Sequence, residues 1–140
     1  MPMKSIEYIQ KEVASIGKQL CGENKPAYLF AVATSPTHSG APHVEIIGNE
    51  YHFVVTERGS EFERQKTKNV DDILYWFVEG DVGDLARTWE LKNRVEGQDS
   101  RRLWFKKEIE LLKAVNSEWA SRKEAEQKQV LIEHPFNDSI

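Results

Sequence analysis

The feature that most constrains the fold is the hydrophobic period of the chain, which changes twice along the sequence. Near the N-terminus, apolar residues recur at every third or fourth position, which is the spacing of one face of a helix. These residues are Ile6, Ile9, Val13, Ile16 and Leu20. Ser5 is placed to cap the free amides of the first turn, and Gly22 is placed to end the helix. We therefore predict an amphipathic N-terminal helix that lies on a core.

The middle of the chain has the pattern of β-strands. The run AYLFAVA at residues 27–33 is almost continuously apolar and predicts a central strand that is covered on both faces. Gly48-Asn49 then separates two further strand patterns, at residues 44–47 and 50–56, and such a two-residue connection is typical of a hairpin. We expect an antiparallel sheet of about three strands between residues 27 and 56.

Helical spacing returns after the hairpin and continues toward the C-terminus. Asn69 is placed to cap a helix, and Gly80 and Gly83 predict a break in it. Asp99 is placed to cap a second long helix, and a last helix begins near Ser117. The fold class expected is therefore α+β, with a small antiparallel sheet, one N-terminal helix and a helical C-terminal half.

Length and charge limit the classes of function. A chain of 140 residues with 39% hydrophobic content is long enough to bury one core, so we expect a single domain over residues 1–140. The net charge is −4, from 19 basic and 23 acidic residues, so no positive field of the whole chain exists to attract a phosphate backbone. Binding to nucleic acid is therefore disfavoured.

Cysteine content and hydropathy indicate the compartment. Cys21 is the only cysteine, which excludes an intrachain disulfide and a multi-cysteine metal site and suits a reducing environment. The N-terminal sequence has no apolar run long enough for a signal-peptide core, and charges nowhere disappear for the roughly 20 residues that a membrane span needs. We expect a cytoplasmic protein without a membrane association.

An acidic window at residues 70–86 is the first candidate for a binding surface, because it contains five carboxylates and neither lysine nor arginine. The candidate partner-binding residues are Tyr75, Trp76, Glu79, Asp81 and Asp84. An acidic surface with exposed aromatic side chains suits a basic partner. The alternative is structural, because acidic residues are favoured near helix starts and the two aromatic residues equally complete a core seam.

A second charged group follows in the next helices and is predicted to be a structural ion-pair network. Its members are Glu90, Arg94, Glu96, Arg101 and Arg102. Glu90 and Arg94 stand four residues apart on one helix face and can pair there. Arg101 and Arg102 follow the Asp99 cap, so we expect them to find carboxylates on the preceding helix, with Glu96 as a candidate. The alternative is a functional anion site.

No catalytic or metal-binding motif has the required context. Asp84 followed by Glu90 and Lys92 superficially matches the carboxylate and lysine arrangement with which some nucleases hold a divalent ion. That chemistry needs adjacent strand positions, whereas this segment has helical spacing. The four histidines are scattered and do not place two zinc ligands on one helix face. We predict no catalytic residue, no metal and no cofactor.

Four strings in the C-terminal two thirds carry a family resemblance. They are ERGSEFER at residues 57–64, DDILYWFVEGDVGDLA from Asp71, ELKNRVEGQDSRRLWFKKEIELL from Glu90 and EWASRKEAEQKQVLIEHPF from Glu118. Together they resemble the immunity protein 63 family of bacterial polymorphic toxin systems. The resemblance implies a small cytosolic inhibitor that binds the toxin encoded beside it, and it supplies no catalytic residues to transfer.

A different class of function stays open beside this one. Nothing in the residues themselves distinguishes a toxin inhibitor from a non-enzymatic binding or scaffold module with another protein partner, including a second copy of the same chain. The oligomeric state does not follow from composition.

Overall fold

The computed structural model describes residues 3–138, which form four α-helices and one antiparallel sheet of three strands. In chain order the elements are α1 (Ile6–Cys21), β1 (Ser39–Ile47), β2 (Glu50–Glu57), β3 (Ser60–Thr67), α2 (Val70–Lys92), α3 (Arg101–Val115) and α4 (Ser117–Glu133). This arrangement confirms the α+β prediction. The chain divides into two compact units, residues 1–78 and 79–140, and each is described by itself.

Helix α1 of the first unit begins and ends where the sequence predicts. The Ser5 hydroxyl accepts a hydrogen bond from the amide of Tyr8 at 3.1 Å, and Gly22 ends the helix with a φ of 63°. Ile9 and Val13 are fully buried on its inner face. Local capping and the apolar period therefore both specify this helix.

The sheet has β2 at its centre, with β1 and β3 as antiparallel neighbours. The hairpin predicted at Gly48-Asn49 is confirmed, and Gly48 has the positive φ of 61° that such a turn requires. A second hairpin at Arg58-Gly59 was not predicted, although both residues have positive φ values, 51° and 83°. Strand β3 follows this turn, and its polar sequence is the reason why it was not predicted.

The predicted central strand at residues 27–33 is wrong. This segment forms turns, and only Ala33 makes an isolated parallel bridge to His43. Phe30 has a φ of 57°, which breaks an extended chain, and its side chain is 1% exposed. Leu29, Phe30 and Val32 are buried while Tyr28 is 78% exposed, so the apolar run reflects the burial of three side chains of an irregular segment and not a strand covered on both faces. The sheet therefore spans residues 39–67 instead of 27–56.

Aromatic residues fill the core of the first unit. The Phe53 ring of β2 meets the ring of Phe77 edge to face at a centroid distance of 4.9 Å and that of Trp76 at 6.1 Å. The Tyr51 hydroxyl donates a hydrogen bond to the backbone carbonyl of Lys4 at 2.8 Å. The start of α2 is capped as predicted, because the Asn69 side chain accepts from the amide of Asp71 at 2.8 Å.

Helix α2 is continuous from Val70 to Lys92, so the predicted break at Gly80 and Gly83 is wrong. Each internal glycine costs about 1 kcal/mol relative to alanine. That cost does not interrupt a helix of 23 residues whose inner face buries Val82 and Ala86 completely. None of the helices within residues 3–138 is both long enough and apolar enough to cross a membrane.

The second unit contains the remainder of α2 with α3 and α4, which form a helical hairpin. Asn116 separates these two helices and caps α4, because its side chain accepts from the amides of Glu118 and Trp119 at 3.0 and 3.1 Å. The buried apolar residues of this hairpin are Phe105, Leu112, Trp119 and Ala120.

A C-terminal clamp, formed by Asp99, Arg101, Arg102 and Asp138, holds the tail that follows α4. The Arg101 guanidinium donates to the Asp99 carboxylate at 2.9 Å and to two tail carbonyls, each at 2.8 Å. Arg102 donates to Asp138 at 2.9 Å, and Asp138 accepts from the amide of Asp99 at 2.8 Å. The Arg101 side chain, the amide of Asn137 and the amide of Arg101 together hold the pKa of Asp99 well below its usual range.

Two glycine-to-alanine changes should alter stability in opposite directions. A Cβ at Gly17 would lie 2.5 Å from the Cβ of Phe30, whereas a Cβ at Gly80 would meet nothing within 4 Å. We expect G17A to lower the free energy of unfolding by about 1–3 kcal/mol through overpacking. We expect G80A to raise it by about 0.5–1 kcal/mol through helix propensity. Urea denaturation measures both variants, and a stabilising G17A or a destabilising G80A would contradict these packing environments.

Neutralising Asp99 should reduce the acid sensitivity of the protein. Because the folded state lowers the pKa of Asp99, its stabilising contribution is complete above about pH 4 and is lost as the pH falls through the lowered value. The stability difference between the unaltered protein and D99N should therefore be largest near neutral pH and shrink in acid. Thermal unfolding as a function of pH measures this difference, with E12Q as the control for an exposed carboxylate. A difference that stays constant with pH would refute the assignment.

Candidate functional site

The two aromatic residues predicted to bind a partner do not form exposed anchors. Tyr75 is only 1% exposed, so the prediction that it faces the surface is wrong. Ile73, Leu74 and Tyr75 are buried in succession, which shows that the start of α2 is covered over an arc broader than one apolar stripe. Trp76 is half-buried and packs against Phe53 within the first unit.

The three acidic residues that accompany them in the prediction differ in their surroundings. Glu79 is 31% exposed and accepts a hydrogen bond from Nζ of Lys123 at 2.5 Å within the second unit. Asp81 is half-buried. The Asp84 side chain is 52% exposed and pairs with Arg87, one turn further along α2, at 2.6 Å. Of these three acidic residues, Asp84 is the exposed one, and Arg87 offsets its charge.

A partly buried charged cluster connects the three helices of the second unit, and its centre is Lys123 of α4. Nζ of Lys123 lies 2.5 Å from Glu79, 3.6 Å from Glu126 and 3.9 Å from Glu108. The Gln127 amide donates to the Glu108 carboxylate at 3.0 Å and to a backbone carbonyl of α3 at 2.9 Å. We call these five residues the Lys123 cluster.

Burial and charge act in opposite directions within the Lys123 cluster. Burial raises the pKa of Glu108, which is 4% exposed, while Lys123 and the Gln127 amide counteract this effect. Burial alone would lower the pKa of Lys123, but the neighbouring carboxylates outweigh burial and raise the pKa. Glu79 and Lys123 are 44 residues apart, so no local spacing in the sequence could have revealed this pairing.

The five residues of the predicted ion-pair network fall into separate groups. Arg94 donates two hydrogen bonds to Glu90, at 3.0 and 2.8 Å, and lowers the pKa of that carboxyl. Arg101 and Arg102 belong to the C-terminal clamp instead, and their carboxylate partners are not on α2. Glu96 is exposed and has no ion pair within residues 3–138. Arg101 pairs with Asp99, which precedes α3, and Arg102 pairs with Asp138, which follows α4. The second pair forms because the chain tail folds back onto the start of α3.

A polar cluster lies on one face of the sheet and was not predicted. Nε2 of His43 lies 2.7 Å from the Glu45 carboxylate, and Nδ1 of His52 lies 2.7 Å from the Arg64 guanidinium. Arg64 also donates to Glu45 and to Glu61, at 3.2 and 2.9 Å. The hydrogen bond from His43, together with Arg64, lowers the pKa of Glu45. Cross-strand register in the two hairpins brings these side chains together.

The nuclease-like match at Asp84, Glu90 and Lys92 lies on the single helix α2. Glu90 is bound by Arg94, and Asp84 is bound by Arg87. In the part of the chain that the structure describes, no group of three or more histidine, cysteine, aspartate or glutamate residues is arranged to hold a metal ion.

Comparison with known proteins gives one match. Residues 48–129 match the family model described as Immunity protein 63, which spans β2, β3, α2, α3 and most of α4. No curated protein and no solved structure shows significant similarity to the chain. The matched segment contains the acidic residues of α2 and all five members of the Lys123 cluster, and it covers more than half of the chain. The chain belongs to the immunity protein 63 family.

Proposed function

We propose that this protein is a cytoplasmic immunity protein that binds the cognate toxin of a bacterial polymorphic toxin system and neutralises it. The observation that carries the proposal is the family match over residues 48–129. Protection then depends on stoichiometric binding and requires no catalytic group in this chain. Such an inhibitor must recognise one toxin tightly enough to keep it inactive before it reaches its target.

The charge on α2 supports a toxin whose contact surface is partly basic. Asp84 is half exposed and Asp81 lies one turn before it, while the whole chain carries a net charge of −4. Complementary charge steers association and increases its rate more than it strengthens the final complex. Arg87 holds the Asp84 carboxylate in place, so a basic group of the toxin would meet a positioned acceptor.

The internal ion pairs support a preformed binding surface. Glu79, Glu108 and Lys123 are held by one another, so the second unit presents its outer residues from helices that are already connected. A surface that needs little rearrangement loses less conformational entropy on binding. An interface of standard size would bury about 1,600 Å² in total.

Coexpression should relieve toxicity. The toxin-like open reading frame encoded beside this gene would be expressed in a bacterial host with and without this protein. We expect growth to be restored and the two proteins to copurify as a stable complex. A toxic neighbour whose effect persists in the presence of abundant folded protein would refute the proposal. A stable complex with an unrelated protein or with a second copy, without protection, would favour the alternative of a general binding module.

Charge reversal on α2 should slow association with the toxin. For the D81K/D84K variant we expect an association rate about tenfold lower at low salt, with a smaller difference at high salt because ions screen exposed charges. The matched control is E12K/E23K, which reverses two exposed carboxylates in the first unit. Stopped-flow or surface plasmon resonance measures both variants. Equal rates for the two variants would show that these two aspartates do not face the toxin.

A further inference from the structure

The second unit contains an open groove along α3, and none of the residues that line it belongs to the acidic window at residues 70–86. Its volume is about 670 Å³, and Trp89, Leu103 and Ile109 supply its apolar surface. Three lysines of α3, namely Lys106, Lys107 and Lys113, stand around that surface together with the carboxylates of Glu110 and Glu124. We call this feature the lysine groove. Its size and mixed lining are those of sites that bind a side-chain cluster or a small ligand.

The charges of the lysine groove are incompletely balanced. Lys107 pairs with Glu110 at 3.3 Å and lies over the Trp89 ring at 4.9 Å. Lys106 and Lys113 are exposed, and neither has an ion pair with any residue between 3 and 138. At physiological salt the field of a surface charge is screened beyond about 8 Å, so these lysines act on an occupant of the groove at short range.

The spacing of the two lysines favours a long occupant over a small one. Lys106 and Lys113 are seven residues apart on α3, which places them about 10.5 Å apart along the helix axis and on the same face. Ile109 lies between them in the groove lining. One small anion would therefore contact only one of the two ammonium groups. A polypeptide with two carboxylates about 10 Å apart on one face reaches both, as residues i and i+7 of a helix do.

We propose that the lysine groove docks a segment of the toxin that carries an apolar side chain between two acidic residues. The apolar side chain packs against Trp89, and the two carboxylates pair with Lys106 and Lys113. This assignment rests on the proposed immunity function and adds a second contact of opposite charge to the one at Asp84. Two contacts of opposite sign fix the orientation of a partner and exclude partners that match only one of them.

The test is a charge reversal with a matched control. In K106E/K113E the two groove lysines become acidic, and in K11E/K18E the same change is made at two exposed lysines of α1 that are also seven residues apart. We expect the Kd for the purified toxin to rise about tenfold or more in K106E/K113E and to change by less than about twofold in K11E/K18E. Circular dichroism and thermal unfolding verify that both variants are folded.

Hydrogen exchange of the unaltered protein gives a second readout that needs no variant. We expect toxin binding to protect amides within residues 103–113. Unchanged binding by K106E/K113E, equal weakening in both variants or no protection in this segment would each overturn the groove assignment while leaving the immunity function standing. If the unaltered protein neither binds nor neutralises the toxin, the proposed function fails and the groove assignment fails with it.

Discussion

The second unit depends on one buried cation. The Lys123 side chain is 12% exposed and faces three carboxylates from three helices, one of which, Glu108, is almost completely enclosed. An isolated carboxylate at that position would be too costly to ionise, and an isolated ammonium group would face the same penalty. The lysine and the glutamates therefore require one another. This mutual requirement fixes which side of α4 faces α2 and α3.

This constraint explains how a highly charged sequence produces a specific surface. Charged residues make up 30% of the chain, and many of them are used internally by the Lys123 cluster, the Glu90–Arg94 pair and the C-terminal clamp. These three groups use ten charged residues, namely four in the Lys123 cluster, two in the Glu90–Arg94 pair and four in the C-terminal clamp. Asp84, which pairs with Arg87 at the surface of α2, and Lys106 and Lys113 of α3 are exposed charges outside these groups. In the recognition of a toxin that we propose, these exposed charges supply the complementary contacts.

Local chemistry predicted the elements whose determinants lie within a few residues. The cap at Ser5, the cap at Asn69 and the turn at Gly48 are short-range features, and they stand where the sequence places them. The strand predicted at residues 27–33 fails because apolar composition reports burial and not backbone conformation. The prediction of the candidate site is wrong at Tyr75 for a similar reason, because helical spacing does not reveal how wide an arc of a helix is covered.

Pairings between distant residues could not be predicted at all. Lys123 meets Glu79 across 44 residues, and Arg102 meets Asp138 across 36. A sequence with so many charges offers many equally plausible partners for each of them, and only the tertiary fold selects one. The family resemblance was accessible because it depends on the order of whole segments along the chain, which does not require any of these pairings to be known.

The edge position of β3 has a consequence for solubility during folding. Within the described residues this strand pairs only with β2, so its other edge presents unpaired backbone groups, and Phe62 beside them is 68% exposed. An exposed edge with an aromatic residue is a site where chains can add to one another as fibrils do. Charged side chains flank Phe62 on both sides, at Glu61, Glu63 and Arg64. An added strand would have to remove water from these charges, and this cost opposes the association of a newly made chain with its copies.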